Sequence, residues 1–317
     1  MKVTEHIRKA NGTIFSIEIL PPLKGKSIQS IYEGIDPLLE FKPSYIDVTY
    51  HREEYVYKHR ENGLLEKLSI RKRPGTVGIC AAIMNKYKID AVPHIICGGF
   101  TKEETENALI DLNFLGIDNV LAIRGDAIKS EPGFTAEPDG NNYAIDLVNQ
   151  AVHMNHGKYI DEELLDVAPT DFCIGVAGYP EKHFEAPNFR SDLKYLKAKV
   201  DAGSDYIVTQ MFFDNKKYFE FIKECRDAGI TVPIIPGIKV LTTKKQLTIL
   251  PKTFHIEIPD ELQQAVENCG TDKDVKEVGI EWCISQSAEL KKSGAPCLHF
   301  YTMGTSDSVR RVAGKVF

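Results

Sequence analysis

Nowhere in this chain do about 18 uninterrupted apolar residues occur, so no helix is expected to span a bilayer. The N-terminal MKVTEHIRKANGTIF likewise carries no apolar run suited to a signal peptide. Paired cysteines are also missing: Cys80, Cys97, Cys173, Cys225, Cys269, Cys283 and Cys297 are odd in number and scattered, with no CxxC to suggest zinc or redox work. They read as small buried hydrophobes in a reducing compartment, which leads to the expectation of a soluble cytoplasmic protein. Positive charge is in deficit, with 39 Lys and Arg against 45 Asp and Glu and a net charge of -6. General attraction to nucleic acid or anionic membrane is therefore not expected, and small molecules are the expected partners. No GxGxxG follows a strand, and the GKS at Gly25–Ser27 lacks the earlier glycine of a P-loop, Leu20 standing in its place. His153 and His156 have helical spacing without a third ligand, so no metal site is expected.

What is present is a repeated grammar. Around Gly116, Gly203, Gly229 and Gly294 an amphipathic helix pattern ends in glycine and leads within a few residues into a short apolar strand: LGIDNVLAI, AGSDYIVTQ, AGITVPIIPG and SGAPCLHFY. The helix from Thr101 to Leu115 opens with a capping box, Thr101 and Glu104, and repeats Ala108, Leu109, Leu112 and Leu115 on one face. TIFSIEIL, YIDVTY, DAVPHIIC and FCIGVA complete a set of eight strands, the third of them weakened by Pro93. Apolar residues on consecutive positions suit parallel strands buried on both faces. Eight such strands alternating with helices favour an α/β fold of the (β/α)8 TIM-barrel class, with a doubly wound open sheet as the competing architecture. With 43% hydrophobic residues and no linker, residues 1–317 are expected to form a single domain. The polar stretches Arg52 to Arg73, Lys129 to Asn142 and Asn155 to Asp171 are read as long βα excursions on the functional face.

In a barrel the chemistry belongs at the C-terminal strand ends. The polar residues there are Glu18, Thr49, His94, Arg124 with Asp126, Tyr179 with His183, Gln210, and Tyr301 with Thr302. Thr49 and Tyr301 alone suit structural hydrogen bonds, His94 a satisfied core histidine, Gln210 a capping amide, and Arg124 with Asp126 a local ion pair. Glu18 resists such an explanation, because an unpaired buried carboxylate costs several kcal/mol or stays protonated, which makes it a candidate general acid.

Taken in order, FSIEILPP, YIDVTY, PHIIC, VLAIRGD, GYPEKHFEA, DLKYLKAKVDAGSDYIVTQMFFD, IIPGI and LHFYTM resemble the methylenetetrahydrofolate reductase family from Ile14 to about Thr302. The resemblance implies a barrel that binds FAD without a Rossmann motif and reduces 5,10-methylenetetrahydrofolate to 5-methyltetrahydrofolate with NADH or NADPH by ping-pong transfer. It implies Glu18 as the acid and Asp126 as a carboxylate that stabilises the developing cation. For the flavin it implies Thr49, His94, Arg124, Gly125, Asp126, Tyr143, Ala144, Tyr179, His183, Asp192 and Lys199, and for the folate Asp126, Gln210 and Gln246. Leu250 stands where some bacterial members carry an aromatic, and the chain is expected to lack the C-terminal regulatory domain of eukaryotic members. Homo-oligomerisation is expected from the size of the barrel. Two alternatives stay open: a (β/α)8 lyase or aldolase with Lys239 as a Schiff-base lysine, and a non-catalytic folate or flavin binder.

Overall fold

The strand positions follow from apolar runs whose alternate residues face two different layers. The computed structural model describes residues 1–52, 54–70, 73–128, 131, 133–302 and 306–317. Its strands are β1 (Ile14–Ile19), β2 (Tyr45–Val48), β3 (Glu54–His59), β4 (Leu65–Ile70), β5 (Asp90–Ile96), β6 (Asn119–Ile123), β7 (Cys173–Gly178), β8 (Tyr206–Thr209), β9 (Ile234–Ile235), β10 (Gly237–Ile238) and β11 (Cys297–Tyr301). One parallel sheet runs β10-β11-β1-β2-β5-β6-β7-β8-β9. Only Pro236 separates β9 from β10, and its carbonyl accepts from the His299 amide at 3.1 Å, so the ring of strands closes through one proline-interrupted strand. The expected eight strand positions and TIM-barrel architecture are therefore present, and the open doubly wound sheet is not.

Helices α1 (Val3–Lys9), α2 (Gln29–Ile35), α3 (Thr76–Tyr87), α4 (Lys102–Phe114), α5 (Ala144–Asn155), α6 (Phe189–Asp201), α7 (Asn215–Asp227), α8 (Gln246–Phe254), α9 (Asp260–Glu267), α10 (Asp272–Lys292) and α11 (Asp307–Val316) accompany the strands. None is long and apolar enough to cross a membrane. α4 carries the expected capping box between Thr101 and Glu104. Its buried face, however, is Thr105, Glu106, Leu109 and Leu112, while Leu115 is exposed past the helix end. The backbone is left-handed at Gly116, Gly203, Gly229 and Gly294, as the helix-to-strand grammar requires.

Two apolar layers result. Phe15, Ile17 and Ile19 point outward into a cluster shared with the helices, whereas Tyr45, Val92, Leu121, Tyr206, Val208 and Ile235 fill the lumen together with Val3 and Ile7 of α1. α1 therefore plugs the N-terminal end, tied by the Met1 amino group and His6 to Asp90 and by the Val3 amide to the Asn119 side chain. Pro93 falls where β5 changes neighbours, pairing with β2 through Pro93 and with β6 from His94 onward.

One expected excursion lies on the other face. Asn155 to Asp171 connects the C-terminus of α5 to the start of β7, so it is an αβ loop at the plugged end, where Asp171 pairs with Lys2. The helical period of AIDLVNQAVHMN decides this, because a helix already intervenes between β6 and that loop. Within Arg52 to Arg73 lies the antiparallel hairpin of β3 and β4. Lys129, which opens the second excursion, and Met303, which ends the last resembling motif, lie outside the described residues.

Candidate active site

The lumen positions of β1 are Ile14, Ser16 and Glu18, because Phe15, Ile17 and Ile19 occupy the outer face. Glu18 is level with Asp47 of β2 and Tyr301 of β11 in the strand register. One strand further on, the His94 Nε2 of β5 lies 3.5 Å from the Glu18 carboxylate and 3.4 Å from that of Asp47. Asp47 is fully buried, and both its oxygens and His94 Nε2 lack a hydrogen-bond partner among the described residues. Burial pushes Glu18 up to about 7, with His94 pulling against it and Asp47 adding to it. It pushes Asp47 up to about 6, and it pushes His94 down. Near neutrality this is a set of groups that resist charging rather than an ion pair.

Below them the lumen stays polar. The Ser16 hydroxyl meets His299 Nδ1 at 2.8 Å, and Tyr45 donates to the Cys297 sulfur at 3.5 Å. Above, the Tyr301 hydroxyl donates to the Thr209 carbonyl at 2.6 Å, and Gly237 has no side chain because a Cβ there would lie 2.4 Å from that hydroxyl. Thr302 donates through its amide and hydroxyl to the Glu18 carbonyl, fixing the backbone of the acid without using its side chain.

The remaining residues expected at the rim lie along the ends of β2, β6, β7 and β8. Thr49 follows β2 with its hydroxyl buried and without a partner among the described residues. Arg124 ends β6, and its guanidinium takes Glu185 in a two-point pair at 2.6 and 2.8 Å and lies 4.8 Å from the centre of the Phe134 ring. The local pair with Asp126 is not what forms; Asp126 is exposed. Gly125 has φ 82, and a Cβ there would press on Ile96. Tyr179 packs edge-on against His183, the His183 amide donates to Asp192, and Lys199 donates to the Ala177 carbonyl at 2.7 Å. Burial lowers Lys199 to about 8 against the pull of Asp192. Tyr143 and Ala144 form the N-terminus of α5, the Tyr143 ring exposed. Gln210 turns its side-chain oxygen to the next amide, that of Met211.

Gln246 is placed differently: its side-chain oxygen accepts from the Thr242 and Thr243 amides at 2.6 and 3.1 Å and ties down the loop that leads into α8. Leu250 is buried in an apolar cluster with Met211, Phe213 and Leu241. Beside His94 opens a cavity of about 550 Å³ with mostly apolar walls, among them Tyr50, Thr76, Ile96 and Phe100, in the size range of small-molecule sites.

Asp47, His299 and Glu185 were not assigned to the site from sequence, and Lys239 was named only as the Schiff-base lysine of the lyase alternative. Asp47 gave the same signal as Glu18, an acid inside an apolar strand. Glu185 stands four residues before α6, with nothing in its spacing to connect it to Arg124.

Comparison with known proteins agrees with this architecture. A family model described as methylenetetrahydrofolate reductase matches residues 2–316. The 5,10-methylenetetrahydrofolate reductase of Escherichia coli is 31% identical over 307 residues, covering 96% of this chain and 91% of the bacterial protein. Methylenetetrahydrofolate reductase (NADH) 1 of Arabidopsis thaliana is 32% identical over 97% of this chain, and a probable methylenetetrahydrofolate reductase (NADPH) of Caenorhabditis elegans 30% identical over 94%. The chain spans 49% and 41% of those two proteins, about half or less of their length. Among solved structures, a Clostridium thermocellum protein described as binding two copies of 5-methyl-5,6,7,8-tetrahydrofolic acid aligns over 99% of this chain and 97% of its own with a TM-score of 0.61 at 16% identity, a likeness of fold.

Proposed function

We propose, from the premise that the chain belongs to the methylenetetrahydrofolate reductase family, that it reduces 5,10-methylenetetrahydrofolate to 5-methyltetrahydrofolate with NADH or NADPH, through FAD held at the C-terminal rim of the barrel. The observation that carries the proposal is Glu18, a carboxyl group at the mouth of the lumen that burial keeps protonated up to about pH 7. When bound, FAD supplies the two-electron transfer between nicotinamide and folate.

The residues present fit that cofactor. Thr49 and His94 offer buried polar atoms that lack partners among the described residues, and Gly125 brings a side-chain-free backbone to the rim. Arg124, just past β6, and Lys199, on α6, supply cations for a diphosphate, and Asp192 an acceptor for a ribose hydroxyl. Tyr143, Ala144, Tyr179 and His183 would border the same group. The one-carbon bridge of the folate accepts a hydride poorly while it joins two nitrogens. Glu18 gives its proton to the departing nitrogen as the carbon–nitrogen bond breaks, leaving an iminium, and regains a proton from solvent afterwards. Asp126, exposed at the rim, faces the pterin and stabilises that cation, and Gln210 orients it. Gln246 contributes by exchanging the Thr242 and Thr243 amides for the folate.

The test is an absorbance spectrum of the purified protein, which should show the flavin band at about 450 nm. Anaerobic NADH or NADPH should bleach that band, and methylenetetrahydrofolate should restore it. A colourless protein that binds no added FAD would overturn the proposal. One observation favours the lyase alternative: burial lowers Lys239 to about 8, a range that suits a Schiff-base amine. Borohydride trapping of a carbonyl substrate on Lys239 would support that alternative, and family membership weighs against it.

A further inference from the structure

Lys239 follows β10 directly and is only 8% exposed, an unusual place for an ammonium group. Its Nζ donates to the Tyr301 carbonyl at 3.2 Å. β10 pairs with β11, Ile238 opposite Phe300, and β11 pairs with β1, Tyr301 opposite Glu18. The ammonium therefore enters the lumen two strands from Glu18 and at its level, from the side opposite Asp47 and His94.

A buried cation needs a counter-charge, and a carbonyl supplies only a dipole. The titratable groups that face this space are Glu18 from β1, Asp47 from β2, His94 from β5, Tyr179 from the end of β7, His299 and Tyr301 from β11, and Cys283 from α10. Burial disfavours charge on both histidines and holds Tyr179, Tyr301 and Cys283 neutral. Among the described residues, two carboxyl groups and one cation remain. One carboxylate can ionise against the ammonium, whereas a second would be a buried anion without compensation.

Resting on the proposal that Glu18 is the acid, we infer that Lys239 is a positioning residue for it, the counter-charge that limits the buried Glu18–Asp47 pair to one shared proton. His94 Nε2, within 3.5 Å of both carboxyl groups, links the two sites, so their proton belongs to the pair. The proton can then wait on the pair and still be acidic enough to leave when a nitrogen at the mouth needs it. Without the ammonium the pair would hold its proton more tightly and release it to substrate more slowly.

The experiment compares wild type, Lys239→Met, Lys239→Gln and Lys239→Arg by two readouts. The first is the pH dependence of the folate-dependent reoxidation step in the flavin-loaded enzyme. The second is an infrared titration of the protonated-carboxyl band in the protein without substrate, identified by its loss in Glu18→Gln. In both uncharged variants the midpoint should move up by about one pH unit or more, a tenfold change in proton affinity, while Lys239→Arg should stay near wild type. A midpoint that does not move in Lys239→Gln or Lys239→Met, or one that moves equally in Lys239→Arg, overturns the inference. The infrared titration needs no catalysis, so an unshifted band rejects the role of Lys239 even if the folate reaction is absent. A wild-type protein without folate activity but with the shifted band rejects the reaction and leaves the charge coupling standing.

Discussion

Replacing Glu18 by Gln removes one dissociable proton from the lumen and changes little else. The Glu18 carbonyl keeps its bonds from Thr302, and the side chain is 12% exposed, with His94 as its near polar neighbour. If Glu18 donates the proton that opens the folate bridge, the folate half-reaction should slow by about 10²-fold or more, the usual scale for a positioned acid. Reduction of the bound flavin by NADH or NADPH needs no such proton and should proceed near the wild-type rate. Stability should move the other way. Raising a glutamic acid from its ordinary 4.5 to about 7 corresponds to about 3 kcal/mol, an upper bound because His94 and Lys239 share the site. Below pH 4.5 both folded and unfolded chains hold the proton and the penalty is absent. It grows as the unfolded chain ionises and is complete above pH 7, where the folded chain ionises too. Glu18→Gln should therefore unfold at higher urea than wild type at pH 8, and the gap should close toward pH 4. Anaerobic stopped-flow of each half-reaction, with urea unfolding at both pH values, makes the test. Wild-type folate reoxidation in Glu18→Gln would refute the assignment, and a variant both slow in each half-reaction and less stable at pH 8 would make Glu18 structural.

The other residues separate along the same lines. Asp126→Asn should slow the folate half-reaction more than the nicotinamide half-reaction, because only the former develops a cation at the pterin; equal losses in stopped-flow would instead mark a defect in flavin binding. Arg124→Ala removes the two-point donor that Glu185 now engages and should weaken FAD binding by about tenfold or more in a flavin-fluorescence titration, with unchanged affinity counting against a diphosphate contact. Asp47→Asn relieves a carboxyl group that burial raises from 3.8 to about 6, so it should gain on the order of 1–3 kcal/mol over wild type in urea unfolding at pH 7.5 and lose that gain toward pH 4, and a loss of stability at pH 7.5 would show that the buried carboxylate is satisfied after all.

How much of this was legible in the sequence depends on how local each signal is. The barrel was legible because each strand announces itself by apolar residues on both faces, and four helix ends by a glycine in the left-handed conformation. Glu18 was legible because Phe15, Ile17 and Ile19 beside it leave it no exposed face. Asp47 carried the same mark, but attention to the last polar residue of each run selected Thr49 and passed over the lumen position two residues earlier. The β3–β4 hairpin was equally available: Asn62-Gly63 lies between alternating segments, and Gly63 takes φ 76 in the turn. The α1 plug was not legible, since its seven residues are fixed by Asp90, Asn119 and Asp171, all far along the chain. The Arg124–Glu185 pair is invisible for the same reason, because 61 positions separate its members.

The distribution of cost across the barrel ties these observations to function. The outer cluster and the plugged end of the lumen are apolar and closed, with Val3 of α1 fully buried there. Four carboxyl and amino groups that burial displaces far from their ordinary ionisation, Glu18 and Asp47 upward and Lys199 and Lys239 downward, lie toward the C-terminal strand ends. Each would be more stable if replaced by a neutral side chain of similar size, so folding alone gives no reason for four of them at one end of the molecule. A site that must hold a proton without a partner, and cations without full compensation until an anion arrives, gives such a reason. The apolar layers supply the stability that this arrangement gives up, and the rim is where a ligand with its own phosphates and hydrogen-bonding edges would return part of it on binding.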